Sequence, residues 1–490
     1  MRRMNCCLLQ LSRRTLSSLL VVLMSFYITG CSWEESDEKN SKVLRVIVEE
    51  NMYADANGLE AQLIDAVQRF TEAHEGYRII LERLPKPENG RAEMLQKLRT
   101  ELMAGEGPDI LLLNNGYSDL EWNNPREPLL ADVELAMRNG LFYDISEFYD
   151  ADTALNKKEL EPVIMEAGVL GDARYVLPFR FDIPMMYVEK NRFAETGLSE
   201  ELFQMGILEL IDYFVAMEEN AIASNFYLQF VYPQFAMNMF PELFDYEKGT
   251  VAVTREKIEA FLRAYQDYRL RFVKSVEHED ASDIVKMSWY TQFGEYWTEQ
   301  TDNFLLIQGL QYMLEVMAIG KMKGAELEAY PLRSADGSVV ADITFYGAVT
   351  AGSKNPELAY EFIRLFLTED YQWDRNAVDR IGNYWYLSTY GWPVRTKGSL
   401  AEVARSAQEA SQYKWAPIKY EIDFSVLTNE DLAVEELPID SARFSIALEH
   451  RFWQDLKSLQ SYHVEGPTDV DIPKLAEEWM QRLRIHIEEG

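Results

Sequence analysis

Side chains able to make or break covalent bonds are scarce in this chain. Its five histidines, His74, His278, His450, His463 and His486, are scattered without an H-x-x-x-H pair, and its cysteines are Cys6, Cys7 and Cys31. A metal centre built on imidazole or thiolate is therefore not expected. Gly116-Tyr-Ser-Asp-Leu120 lacks the second glycine of a nucleophile elbow. Gly105-Glu-Gly107 runs into Pro108 rather than into an open turn that cradles phosphate. Among 81 acidic residues, a carboxylate pair for glycoside hydrolysis and an all-oxygen calcium site both stay open. No nucleophile, base and orienting group stand at a telling spacing. The chain reads as a binding protein rather than an enzyme, with no catalytic residue, no cofactor and no metal expected.

Side chains that grip a polar ring are better represented. Aromatic faces stack on the apolar faces of a sugar ring, while carboxylates, amides and guanidinium groups bond its rim of hydroxyls. Glu50 and Tyr53 follow one strand-like run; Asn114, Tyr117 and Trp122 follow another, in a loop bounded by Pro125. Arg180 and Asp182 sit in the stretch YVLPFRFDIPMMYV, Tyr346 in ITFYGAV, and Trp289 beside Tyr290. Trp385 lies in Asn383-Tyr-Trp-Tyr386, just after Gly382. These are the candidate ligand contacts, and each has a plainer alternative. A tryptophan in a long chain is more commonly core than platform. Trp289 and Trp297 also suit packing between helices, Arg180 and Asp182 a hinge ion pair, and Glu50 a solvated loop.

At 490 residues the chain exceeds one ordinary core and suggests two or more domains. Apolar residues at 47% and aromatics at 12% argue against disorder. A balance of 48 basic against 81 acidic residues, net −33, repels nucleic acid, which is not an expected partner. At the N-terminus Arg2, Arg3, Arg13 and Arg14 precede an apolar run over residues 19–28. As a helix that run spans about 15 Å, roughly half the hydrocarbon thickness of a bilayer. The pattern is an export signal over residues 1–30. Ile28-Thr29-Gly30-Cys31 resembles the bacterial lipobox, so Cys31 is the expected lipidation site and residues 31–42 an acidic tether. Cleavage would remove Cys6 and Cys7, leaving Cys31 with no disulfide partner in its own chain. The expected location is the cell membrane, lipid-anchored on its extracytoplasmic face.

Secondary structure must position the candidates. VLRVIV (43–48) is a β-branched run of strand length, and Leu59, Leu63, Val67 and Phe70 then fall at helical spacing. YRIILERL (77–84) reads as a second strand; Met94, Leu95, Leu98 and Leu102 mark a second helix; DILLL (109–113) is apolar throughout, as a buried parallel strand would be. This alternation argues for an open α/β layer with right-handed crossovers, whose ligands sit beyond the strands' carboxyl ends. Residues 190–325 read as mainly helical, NFLLIQGLQYMLEVMAI among them. A strand at 342–350 and a helix at 356–368 follow, the latter with Asn355 at the N-cap and Pro356 at the first helical position. A last helix is expected at 472–487. The change from α/β to helical and back suggests two lobes through which the chain passes more than once.

Several segments, in order, resemble those of the extracellular solute-binding proteins of bacterial ABC importers, the carbohydrate-binding group in particular. GEGPDILLLNNG (105–116) resembles the segment in which the third strand delivers a ligand loop. YVLPFRFDIPMMYVEKNRFAETGL (175–198) resembles the crossover, and FDYEKGTVAVTREKIEAFLRAYQDY (244–268) the acidic turn before a helix. ITFYGAVTAGSKNPELAYEFIRLFLTED (343–370) resembles the return segment. The resemblance implies a two-lobed, periplasmic-binding-protein-like (type II) α/β fold with discontinuous lobes and a helix-rich second lobe. One lobe would comprise residues 43–182 and 331–375, the other 183–330 and 376–490. It further implies a carbohydrate ligand, preferably an oligosaccharide, bound by a monomer, with ABC permease subunits and their ATPase as partners. A sensor reporting to a membrane kinase and a surface glycan hydrolase are the alternatives.

Overall fold

The computed structural model describes residues 42–49, 58–85, 89–114, 127–216, 226–227, 240–276, 304–372, 391–395, 423–428, 437–458 and 470–489. A β-branched run starts the fold. VLRVIV becomes β1 (Val43–Val48), and α1 (Gly58–Ala73), β2 (Arg78–Arg83), α2 (Arg91–Ala104) and β3 (Ile110–Asn114) follow. β1 pairs in parallel with β2 on one side and β3 on the other. Flanked strands β1 and β3 are buried almost throughout, whereas β2, outermost in the described sheet, alternates exposed and half-buried residues. Leu63 and Phe70 of α1 and Leu95, Leu98 and Leu102 of α2 are buried, as their spacing predicts. α2 stops at Gly105, whose φ of 70° few other residues tolerate. The Gly105 N–H donates to the Leu102 carbonyl and the Glu106 N–H to that of Glu101, the bond pair that closes a helix end.

After the short helix α3 (Val133–Arg138) come β4 (Val176–Asp182) and β5 (Pro184–Glu189), both buried along their whole length. They belong to different sheets, so the chain crosses between sheets at Ile183 alone. The second sheet sets β6 (Leu305–Gly309) and β7 (Leu327–Pro331) antiparallel to β5 on either side. The chain returns through residues 332–339 to β8 (Val340–Val349), which enters the first sheet between β3 and β4, antiparallel to both.

Two apolar cores result. The first gathers β1, β3, β4 and β8 with α1, α2 and α7 (Pro356–Ile363). The second gathers Met186, Val188, Leu305 and Ile307 with helices α4 (Ile207–Ala216), α5 (Arg255–Val276), α8 (Ala447–Ser458) and α9 (Ile472–Glu489). Met185, Tyr187 and Leu306 point to the other face of the second sheet, where α6 (Met313–Met322) covers them and joins the first core.

Three expectations need correction. Residues 305–309, read as helical, form β6: an unbroken Leu-Leu-Ile run carries no period that separates a buried strand from a buried helix. The helix expected over 356–368 is α7 only to Ile363, then tightens to a 3-10 turn over Arg364–Leu367, and Asn355 makes no side-chain capping bond. Residues 376–490 do not lie wholly with the second sheet. Trp392–Pro393 pairs with β4, and β9 (Ser441–Phe444) runs parallel to the first half of β8. β8 is longer than the part of it that β3 covers, and β9 completes its edge.

Gly347 sits mid-strand in β8 for a packing reason. A Cβ there would lie 2.7 Å from the Phe179 ring and 3.2 Å from Leu112. Gly347→Ala is expected to cost about 1–3 kcal/mol by overpacking, read from urea unfolding at equilibrium. An unchanged midpoint would show that Phe179 yields freely.

Candidate functional site

One edge of the first sheet collects the polar side chains. Phe345 of β8 stands opposite Asn114 of β3, and Asp342 opposite both Asp182 of β4 and Arg443 of β9. The carboxyl ends of β1, β3 and β4 therefore share an edge with the first half of β8. The chain leaves for the second sheet from this same edge at Ile183 and returns to it at the start of β8.

Two arginines reach its acids from within. Glu49, just beyond β1, is buried in an ion pair with Arg91, which also donates to the carbonyls of Glu127 (2.9 Å) and Pro85 (3.2 Å). One guanidinium thus ties together the start or end of three connecting segments. Arg443 donates to Asp342 at 3.2 Å and to Glu449 of α8 at 2.5 Å, all three buried. Removing one partner of such a buried pair strands a charge, which is costly.

At the crossover, Asp182 packs against Gly309, where any Cβ would collide with its carboxylate. The Tyr187 hydroxyl donates to the Gly309 carbonyl at 3.2 Å. Burial, then Asp182 and Glu315, raise this hydroxyl well above its ordinary pKa. Glu315 of α6 is 7% exposed, and burial pushes it from an ordinary 4.5 up to about 8. This carboxyl carries a proton at neutral pH.

The structure brings Asn114, Asp182 and Tyr346 to this edge. Tyr346, 2% exposed, packs edge-on against Phe444 at 5.1 Å; burial, then Glu49 and Asp132, raise its hydroxyl. Arg180, 1% exposed, donates to the Tyr371 carbonyl at 2.9 Å, enclosed by protein. Glu50, Tyr53, Tyr117, Trp122, Trp289, Trp385 and Cys31 lie outside the described residues. Sequence reasoning missed Arg91, Asp342, Arg443 and Glu315. Only strand register and burial reveal them, although Glu49 was in reach of the strand-end argument. Among the described residues no group of three or more His, Cys, Asp or Glu could hold a metal ion, and no helix is long and apolar enough to cross a membrane.

The raised pKa of Glu315 carries a sign. The folded chain holds this proton more tightly than the unfolded chain, so its contribution is intact below about 4.5 and is lost as pH rises through about 8. Glu315→Gln should therefore gain stability relative to the parent as pH rises across that window, measured as the difference in urea midpoint. A difference independent of pH would show that Glu315 ionises normally.

Comparison with known proteins assigns the architecture. A model of the family of bacterial extracellular solute-binding proteins matches residues 55–373. No curated protein sequence matches the chain. An extracellular solute-binding protein of family 1 from Alicyclobacillus acidocaldarius superposes with a TM-score of 0.50 at 14% identity, over 91% of this chain and 98% of that one. The galacto-N-biose-/lacto-N-biose I-binding protein of an ABC transporter from Bifidobacterium longum, solved with lacto-N-biose, gives 0.52 at 14% identity over the same shares. The GacH receptor of Streptomyces glaucescens, solved unliganded and with acarbose, gives 0.50 at 15% identity, again over 91% and 98%. Those likenesses are of fold, while the family match spans well over half of the sequence. With its two-lobed α/β architecture, the chain belongs to the bacterial extracellular solute-binding protein family.

Proposed function

We propose that this chain is a lipid-anchored protein on the extracytoplasmic face that captures a carbohydrate, preferably an oligosaccharide, and delivers it to an ABC importer. The observation that carries the reading is the family match over residues 55–373, laid on a fold whose first sheet turns its strand ends toward the crossovers. A neutral, hydroxyl-bearing ligand suits an edge several of whose acids are ion-paired or protonated. Relatives of the same fold are described as binding lacto-N-biose and acarbose. The lobes are residues 43–182 with 331–375, and 183–330 with 376–490, amended by the return of Trp392–Pro393 and β9 to the first.

In this reading Tyr53, Tyr117, Trp122, Trp289 and Trp385 supply stacking faces, and Glu50, Asn114 and Asp182 supply hydrogen bonds to hydroxyls. Arg180 and Tyr346 shape the edge from within. Binding works as a population shift: the ligand makes better contacts when the lobes close, and the closed form is what permease subunits and their ATPase receive. Cys31 supplies the anchor.

Thermal unfolding against a panel of mono- and oligosaccharides tests the ligand class. A specific ligand at 100 times its Kd adds about 2.7 kcal/mol, which moves the midpoint visibly. A selective shift with the sugar left intact is expected; sugar consumption would point to a hydrolase, and no shift anywhere in the panel would remove the carbohydrate assignment. For the anchor, Cys31→Ser expressed in a bacterial host should move the chain from the membrane pellet to the soluble fraction. Unaltered partition would rule out lipidation at this residue.

A further inference from the structure

Asp132 belongs to the first lobe by its surroundings. It caps α3, accepting the Leu135 N–H at 2.9 Å, and Val133, Ala136 and Met137 of that helix pack in the first core. Its other carboxylate oxygen faces the second lobe. There it accepts the Tyr246 hydroxyl at 2.8 Å and lies 2.8 Å from His486 Nε2. Tyr246 packs against the second core, and the His486 ring, carried on α9, stacks on Phe244 at 5.4 Å. Neighbouring contacts cross the same boundary. Leu135 packs in the second core, and the Ala447 N–H donates to the Ala131 carbonyl at 2.8 Å. The Arg138 guanidinium lies close against Gly249.

The charges behind this contact do not balance. Glu134 of α3, Asp342 of β8 and Glu449 of α8 stand with Asp132 around one permanent cation, Arg443 of β9, and one imidazole, His486. Tyr346 of β8 lies near Asp132 from the first lobe's side, while Asp245, beside Tyr246, is engaged by Lys248 at the surface. Four carboxyls thus crowd around two basic groups. Burial, then Asp132, pushes Glu134 up to about 8, with Glu449 adding to the rise and Arg443 and a hydrogen bond from Tyr246 opposing it. Burial, opposed by Arg443, pushes Glu449 up to about 7. Glu134 and Glu449 sit on helices of different lobes, so ionising both places like charges across the boundary. Separating the lobes relieves that repulsion, and alkaline conditions favour separation.

We propose that Asp132, Tyr246 and His486, with Glu134, Arg443 and Glu449 behind them, form a proton-linked latch that holds the two lobes in the arrangement seen here and lets go in alkaline solution. It biases the open–closed equilibrium on which solute affinity depends, whatever the solute is.

The test needs no ligand. In the full chain with Cys6, Cys7 and Cys31 replaced by serine, Lys97→Cys on α2 and Lys474→Cys on α9 place one spin label on each lobe. Both parent side chains are exposed, at 65% and 72%. Inter-label distances are read by double electron–electron resonance from about pH 6 to about pH 9.5, with circular dichroism at each pH. A single narrow distribution is expected at the acid end, giving way to a broader, displaced one with a midpoint at about 8. Tyr246→Phe, which removes one hydroxyl, should show the displaced distribution at every pH. Glu134→Gln should keep the narrow one and lose the alkaline transition. A parent distribution that ignores pH, a Tyr246→Phe distribution identical to the parent's, or a change that coincides with loss of secondary structure each overturns the latch.

Discussion

The architecture depends on two buried strands joined by one residue. β4 and β5 are each a fully buried strand of a different sheet, and Ile183 alone separates them. Two other passages of the chain are tied to that junction. The Leu310 N–H donates to the Ile183 carbonyl and the Leu332 N–H to that of Pro184, both at 2.8 Å. The end of β6 and the return toward β8 are thereby fastened to the crossover itself. Relative motion of the lobes must be absorbed by few backbone dihedrals, while each sheet moves as a unit.

Electrostatics follow from that constraint. A chain of net charge −33 places several acids on the edge that faces its own second lobe. The fold manages them in three ways. Glu49 takes Arg91; Asp342 and Glu449 share Arg443; Glu315 keeps its proton. The abundance of acid at the surface therefore says little about the inside of the cleft.

What was legible in the sequence follows from periodicity. β1, α1, β2, α2 and β3 were readable because half-buried helices and strands carry distinct periods, and DILLL is bounded by glycines and proline on one side and asparagines on the other. β6 was not, because Leu-Leu-Ile covered on both faces has no period. β9 (SARF) is four residues with an arginine inside, and its place beside β8 is set by a partner distant in sequence. Of the candidate contacts, Asn114 and Asp182 were reachable because strand ends can be read. The burial of Arg180 and Tyr346 was not, since it depends on partners distant in sequence, the Tyr371 carbonyl and the Phe444 ring. The inter-lobe role of Asp132 left no local trace beyond that of a helix cap.

The insertion of β8 between β3 and β4 bears on how the chain is made. Both neighbours precede the second sheet in sequence, and β8 follows it. A ribosome therefore releases β3 and β4, each apolar and each with an open edge, long before the strand that seals them. The first lobe cannot close until β5, β6 and β7 have been synthesised. For a protein of this topology, premature collapse is a standing hazard, and a delay in folding until the whole chain is available favours the native pairing.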